Sequence, residues 1–222
     1  GALLVALVPP AQAKTVALVV TLLELLVSLG LWWAFDPTAA AMQFGVNAAW
    51  LPQWGINYTL GLDGISLFMV LLTTVIMPLA VLSGFKYITE REKLYYILML
   101  TLLTGMLGVF LALDMFLFYV FWEVMLIPMY FIIGIWGGKN RLYAAIKFFL
   151  FTMAGSLLML VAILVLAWSV AGRTGTLSFD YQYLLANAGA AGRLAPWLFA
   201  AFGLAFAIKV PVWPFHTWLP DA

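Results

Sequence analysis

Apolar residues run through this chain in stretches of about twenty, and the charged residues collect in the gaps between them. Twenty residues of helix, at ~1.5 Å rise each, cross the ~30 Å hydrocarbon core of a bilayer. The pattern predicts helical spans over residues 15–35, 64–83, 94–113, 115–136, 142–171 and 194 to about 218, preceded by an apolar stub over 2–8. The last span is interrupted by Pro211, Pro214 and Pro220 and reads as a discontinuous helix. The expected fold is an all-α integral membrane protein with six or seven transmembrane helices. The alternating strands of about ten residues that a transmembrane barrel requires are not seen. The stub followed by Ala11-Gln12-Ala13 resembles the end of a signal peptide, but it has no basic n-region, and a truncated first helix is the preferred reading. The end at Asp221-Ala222, just past a helix break, suggests a fragment of something longer.

Composition sharpens the class. The chain is 66% hydrophobic and only 9% charged, whereas soluble domains carry about 25% charged residues. A net charge of +1 with 10 Lys and Arg scattered among the gaps excludes the basic stripe of a nucleic-acid-binding surface. With no cysteine and 1 histidine, the chain by itself has no ligand set for an iron–sulfur cluster or a multi-histidine metal site. Lys14, Lys86, Arg91, Lys93, Lys139 and Arg141 fall in odd-numbered loops, against Arg173 and Arg193 on the other side. By the positive-inside rule the odd loops are cytoplasmic and the N-terminus lies outside. The loop 36–63 is then periplasmic, with Trp50, Trp54 and Tyr58 at the interface.

The chemistry lies in the few ionisable groups within the spans. Glu123 sits roughly 13 Å along its helix from Asp114, near the midplane, where an ionised carboxylate costs about 3 kcal/mol. Such residues face a protein interior and mark ion or proton paths, with packing by a protonated glutamate as the alternative. Pro128 removes a backbone hydrogen bond nearby and permits a bend where water enters. Lys209 lies deep, just before Pro211, in a turn with freed carbonyls, and a buried lysine changes protonation readily. Lys147 is shallower, roughly 9 Å into its helix, and either snorkels to the cytoplasmic face or relays protons toward Glu123. His216 has the intrinsic range of a proton carrier. Glu24, midway along its own span, has no evident partner. Asp63 and Asp114 precede helix starts and read as caps, and the small residues Met153-Ala154-Gly155-Ser156 suit close helix packing.

Four segments then carry a resemblance: LGLDGISLFMVLLTTVIMPLAVLSG over 60–84, DMFLFYVFWEVMLIPMYFIIGIWGG over 114–138, AAIKFFLFTMAGSLLMLVAI over 144–163 and AFAIKVPVWPFHTWLPDA over 205–222. In this order they resemble the antiporter-like proton-translocating subunits of NADH:quinone oxidoreductase, respiratory complex I, and of multisubunit Na⁺/H⁺ antiporters. The flanking text is more similar to the M-type chain, chain 4, than to its L and N siblings. The resemblance implies the start of an inverted-repeat antiporter-like fold, with N-terminal helices and a periplasmic loop over 1–93 and the first helical repeat over 94–222. It places the family's essential glutamate on Glu123, its broken-helix lysine on Lys209, the preceding helix's lysine on Lys147, and its HxWLPDA turn on His216.

The same resemblance implies a translocase subunit without a redox centre. NADH, FMN, iron–sulfur clusters and quinone would be bound by partner subunits, and the L-type and N-type chains would be neighbours in an energy-transducing membrane such as the bacterial inner membrane. It also implies that the second half of the proton path lies beyond this chain, which would not pump by itself. In the expected mechanism ionised Glu123 holds Lys209 charged, separation of the pair releases the proton, and re-pairing draws in another. A secondary Na⁺/H⁺ antiporter subunit and a structural anchor are the competing readings.

Overall fold

The computed structural model describes all residues from Gly1 to Ala222. Ten of its elements matter here: α1 (Ala2–Leu7), α2 (Pro10–Ala34), α3 (Gly64–Tyr87), α4 (Glu92–Leu111), α5 (Met115–Val124), α6 (Leu126–Trp136), α7 (Arg141–Thr174), α8 (Tyr181–Ala186), α9 (Ala195–Lys209) and a short 3₁₀ segment over Phe215–Asp221. Counting α5 with α6 as one crossing, 6 helical stretches are long and apolar enough to span a membrane. The protein is thus a multi-pass, mainly helical integral membrane protein. The stub α1 is too short to cross; its Val5 is fully buried among Ala13 and Ala17 of α2 and Leu100 and Leu103 of α4.

Helix boundaries differ from the sequence reading chiefly at polar ends, because helices continue into the interface where water still satisfies their termini. Lys14, read as a loop residue, lies within α2, and Lys86 and Lys93 lie in the last turn of α3 and the first turn of α4. On α2, Ala13, Ala17, Thr21 and Ser28 form the buried stripe. Ser28 shares a 2.7 Å hydrogen bond with Thr74 of α3. Glu24 lies on that stripe between Thr21 and Ser28, half-buried.

The loop over 36–63 holds an element the sequence reading did not anticipate. Gln43–Leu51 (β1) and Ile56–Leu62 (β2) pair antiparallel, joined through Pro52-Gln53-Trp54 and Gly55. Trp50, Trp54 and Tyr58 project from it and are exposed. The hairpin is tied to two other loops at the same end of the bundle. The Leu113 N–H donates to the Thr59 carbonyl at 2.9 Å, the Met115 N–H to Phe179 at 2.8 Å, and the Tyr181 N–H to Leu113 at 2.7 Å. Loops 36–63, 112–114 and 175–180 therefore share one face of the bundle, as alternate loops of a serpentine chain must.

Asp114 is the centre of this knot. It is completely buried, and one oxygen accepts the N–H groups of Phe116 and Leu117 at 2.9 and 3.1 Å while the other accepts the Asn57 N–H of β2 at 3.0 Å. Burial pushes its carboxyl above the usual carboxylate range, opposed by the three N–H donors. Asp114 thus caps α5 and also anchors the hairpin. Replacing it with Ala leaves three buried N–H groups unsatisfied and should cost about 3 kcal/mol, read as lost thermal stability of the full-length protein in detergent.

Asp63 caps α3 in a reciprocal arrangement. The Ser66 N–H donates to its carboxylate at 2.7 Å, and its own N–H donates to the Ser66 hydroxyl at 2.8 Å. The Ser66 N–H holds the Asp63 carboxyl below its ordinary value. A carboxylate with a depressed folded pKa stabilises above the unfolded value of about 4, and that contribution disappears as pH falls through the folded value. Asp63→Ala should therefore lose about 1 kcal/mol at neutral pH while Asp63→Asn loses less. Thermal melts against pH should show the deficit of Asp63→Ala narrowing toward acid.

Candidate functional site

The cap on Asp114 starts α5, and Pro128 ends it. Having no N–H, Pro128 offers nothing to the carbonyl of Val124, and the helix is interrupted at Met125 before resuming as α6. Glu123 sits at that interruption. Its helix lies unusually close to α4, because a Cβ added at Gly108 would occupy the space held by the Phe121 ring. Glu123 is half-buried, and its Oε1 is shielded from solvent with no hydrogen-bond partner.

The second break sets Lys209 at the end of α9. Pro211 leaves the Ala207 carbonyl without its normal donor, and the Val212 N–H takes it instead at 2.8 Å. That displaces the bond Val212 would have made to Ile208, and the Trp218 indole N–H fills the vacancy at 2.8 Å. The Phe215 N–H donates to Val212 at 2.7 Å, turning the chain into the 3₁₀ segment. The carbonyls of Lys209 and Val210 receive no N–H. The expected freed carbonyls are present, and a side chain ten residues on repairs part of the gap.

Lys209 of α9 reaches α5 at Trp122. The Lys209 ammonium stands 5.3 Å above the centre of the Trp122 ring, which packs on Phe118 and Phe206 at 5.6 and 5.8 Å. Trp122 adjoins Glu123 on α5, which brings Lys209 to the same turn as the glutamate. Yet the pair forms no direct ion pair; the single ion pair in the chain joins Lys147 to Asp221 at 2.7 Å. An aromatic face instead carries part of the desolvation cost of the ammonium.

Lys147 also stands 5.7 Å from the Tyr143 ring centre, and its side chain remains 21% exposed. It is thus directed at Asp221, clasping α7 to the segment after the break, and does not touch Glu123. His216 lies inside that segment with Nδ1 buried and unpartnered. Three residues at the site were not picked out from the sequence for this role: Trp122, Asp221 and Tyr119. Tyr119 is one helical turn before Glu123 and packs against the cluster that holds Met159 of α7 and Ala205 of α9. The signal for Tyr119 is its four-residue spacing from the glutamate; nothing local marks Asp221 as the partner of Lys147.

Comparison with known proteins fits this geometry. Residues 112–222 match the family model described as "NADH:quinone oxidoreductase/Mrp antiporter, TM", and residues 12–111 match "NADH-ubiquinone oxidoreductase chain 4, amino terminus". NADH-quinone oxidoreductase subunit M of Rhodobacter capsulatus is 49% identical over 218 residues, covering 95% of this chain and 42% of that protein. A chain of respiratory complex I from Thermus thermophilus, solved with bound NADH, superposes with a TM-score of 0.81 at 32% identity, over 99% of this chain and 44% of that one. A chain of the Mrp complex from Dietzia sp. shares the fold with a TM-score of 0.81 at 22% identity, over 99% of this chain and 24% of that one. This chain spans less than half the length of the curated relative. It belongs to the NADH:quinone oxidoreductase/Mrp antiporter membrane-subunit family.

The repair of the α9 break can be tested directly. Trp218→Phe keeps a ring against Phe148, whose centre lies 5.2 Å away, but removes the donor to Ile208. The buried carbonyl is left unpaired, and thermal stability of the full-length protein should fall by about 1–2 kcal/mol.

Proposed function

We propose that this chain forms part of the proton-translocating machinery of an M-type membrane subunit of NADH:quinone oxidoreductase, with Glu123 and Lys209 as the groups that change partners. The supporting observation is the placement of half-buried Glu123 and half-buried Lys209 at two proline breaks, with the ammonium on the ring of Trp122, the residue before Glu123, and no ion pair between them. Contact would hold both ions charged and immobile; an ammonium seated on an aromatic face without an ion pair leaves each protonation state accessible.

In this mechanism a proton rests on Lys209 while ionised Glu123 approaches it. When Glu123 withdraws, the ammonium is left over Trp122 with weaker compensation, and it releases its proton to water at the freed carbonyls of the break. The neutral amine then accepts the next proton. His216, in the segment that follows Lys209 and ends at the Lys147–Asp221 clasp, would carry it, its buried Nδ1 being without a partner. Opening of that clasp frees Lys147 to pass protons inward from the cytoplasmic side.

Electron transfer would occur in partner subunits that hold NADH, FMN, iron–sulfur clusters and quinone, with the L-type and N-type chains beside this one in the bilayer. The N-terminus would lie outside an energy-transducing membrane such as the bacterial inner membrane. The runner-up is a multisubunit Na⁺/H⁺ antiporter subunit, favoured by the shared fold of the Dietzia Mrp chain. Proton flux driven by a Na⁺ gradient without NADH would select it.

The decisive variant is Glu123→Gln in the full-length protein within its native membrane, with subunit content checked. An assembled complex should lose proton pumping and NADH-driven quinone reduction together, by at least about tenfold, as expected for removal of a positioned proton-transfer group. Normal pumping and turnover would reduce Glu123 to a packing residue.

A further inference from the structure

The Lys209 ammonium rests on a ring whose own position is set from two helices. On α5, Trp122 packs against Phe118 four residues earlier, with ring centres 5.6 Å apart and planes inclined at 39°. From α9, Phe206 packs on it at 5.8 Å, and Phe206 packs in turn on Phe202 at 6.2 Å. Phe206 and Lys209 are three residues apart and share one face of α9, which delivers the ammonium to 5.3 Å from the centre of the indole. No ion pair holds it there. Among the other ionisable groups on the elements around α9, Lys147 and Asp221 pair with each other beside Tyr143, Arg141 and Arg173 donate to backbone carbonyls, and Tyr119, Arg193 and His216 make no ion pair. Trp122 and Glu123 are consecutive, and consecutive helical residues point about 100° apart. One turn of α5 thus offers Lys209 two different seats, a carboxylate and an aromatic face, and the second is the one occupied.

We propose that Trp122 is a positioning residue whose π face is the station where charged Lys209 rests between encounters with Glu123, an inference that rests on the proton-translocating reading above. The ring favours the ammonium and does nothing for the neutral amine, so it keeps the proton on Lys209 while the carboxylate is away. Its attraction is far weaker than that of a close buried carboxylate, so the lysine can leave it again. Tryptophan supplies the strongest such face among the aromatic side chains. An aromatic ring is negative on its face and positive at its edge, and the contacts with Phe118 and Phe206 keep the face turned to Lys209. The ring neither takes nor gives a proton; it acts through where the ammonium sits and how long it stays charged.

The test replaces Trp122 alone, in the full-length chain within the assembled complex, by tryptophans carrying increasing numbers of ring fluorines. Fluorine drains the π face and leaves the shape of the ring nearly intact. Proton pumping and NADH-driven quinone reduction are read across pH. A poorer face holds the proton on Lys209 less well, so each added fluorine should move the alkaline limb of the pumping profile toward lower pH. Trp122→Phe should be displaced in the same direction, and Trp122→Leu most, by about one pH unit. An alkaline limb unmoved by fluorination, with pumping abolished in Glu123→Gln, would overturn the role of Trp122 and leave the proton path standing. A displacement in Trp122→Leu without one in the fluorinated series would overturn it too, because the shape of the side chain alone would then matter. Normal pumping in Glu123→Gln would instead remove the reading on which the inference rests. Should Trp122→Leu or Trp122→Phe fail to assemble, the fluorinated series decides the question by the same criterion.

Discussion

Removing water from an ion is the cost around which this molecule is arranged. A carboxylate or ammonium placed within hydrocarbon without compensation loses several kcal/mol, and a chain that must keep such groups there has to supply substitutes for water. Two kinds are present. The Trp122 ring lies under the Lys209 ammonium, and the interrupted backbone near each charge presents carbonyls that a continuous helix would have consumed. Neither substitute is as strong as a direct ion pair. That weakness suits the proposed changes of protonation, since a close buried pair is strongly destabilised by loss of either charge.

Breaking a helix inside a bilayer has its own cost, and the chain covers it locally. Each proline removes one donor, and every carbonyl left open must find another partner or face water. Val212 takes the Ala207 carbonyl and Trp218 takes that of Ile208, so the break is held by a residue on its far side. Trp218 also packs edge-on against Phe148 of α7. The residue before Phe148 on α7 is Lys147, paired with Asp221. The return segment is thus docked on α7 at two points, and the geometry around Lys209 depends on both.

The opposite end of the bundle is rigid for a related reason. Three connecting loops meet there, and their backbone groups bond to one another around the buried Asp114. By fixing the start of α5, this knot sets the depth at which Glu123 emerges. The close approach of α4 and α5 at Gly108 then fixes the face it presents. The proposed proton-transfer site is carried on elements that have little freedom of their own.

Much of this was legible in the amino-acid order because membrane physics is local. Length and apolarity of a run decide whether it spans, so all six crossings could be read from it, and proline chemistry marked the breaks at Pro128 and Pro211. The rarity of charge in hydrocarbon singled out Glu123 and Lys209. The hairpin over 43–62 escaped notice because its pairing is satisfied across a turn and by other loops, not by a long periodic pattern. Nor did the sequence reveal that Lys147 meets Asp221, that Trp218 repairs the α9 break, or that the Trp122 ring lies under Lys209. These contacts join residues on different helices, or restore a bond that proline removed, and their distances follow from how α5, α7 and α9 pack. The sequence by itself determined which segments enter the membrane and which charges go with them; only the tertiary structure decided which groups those charges face.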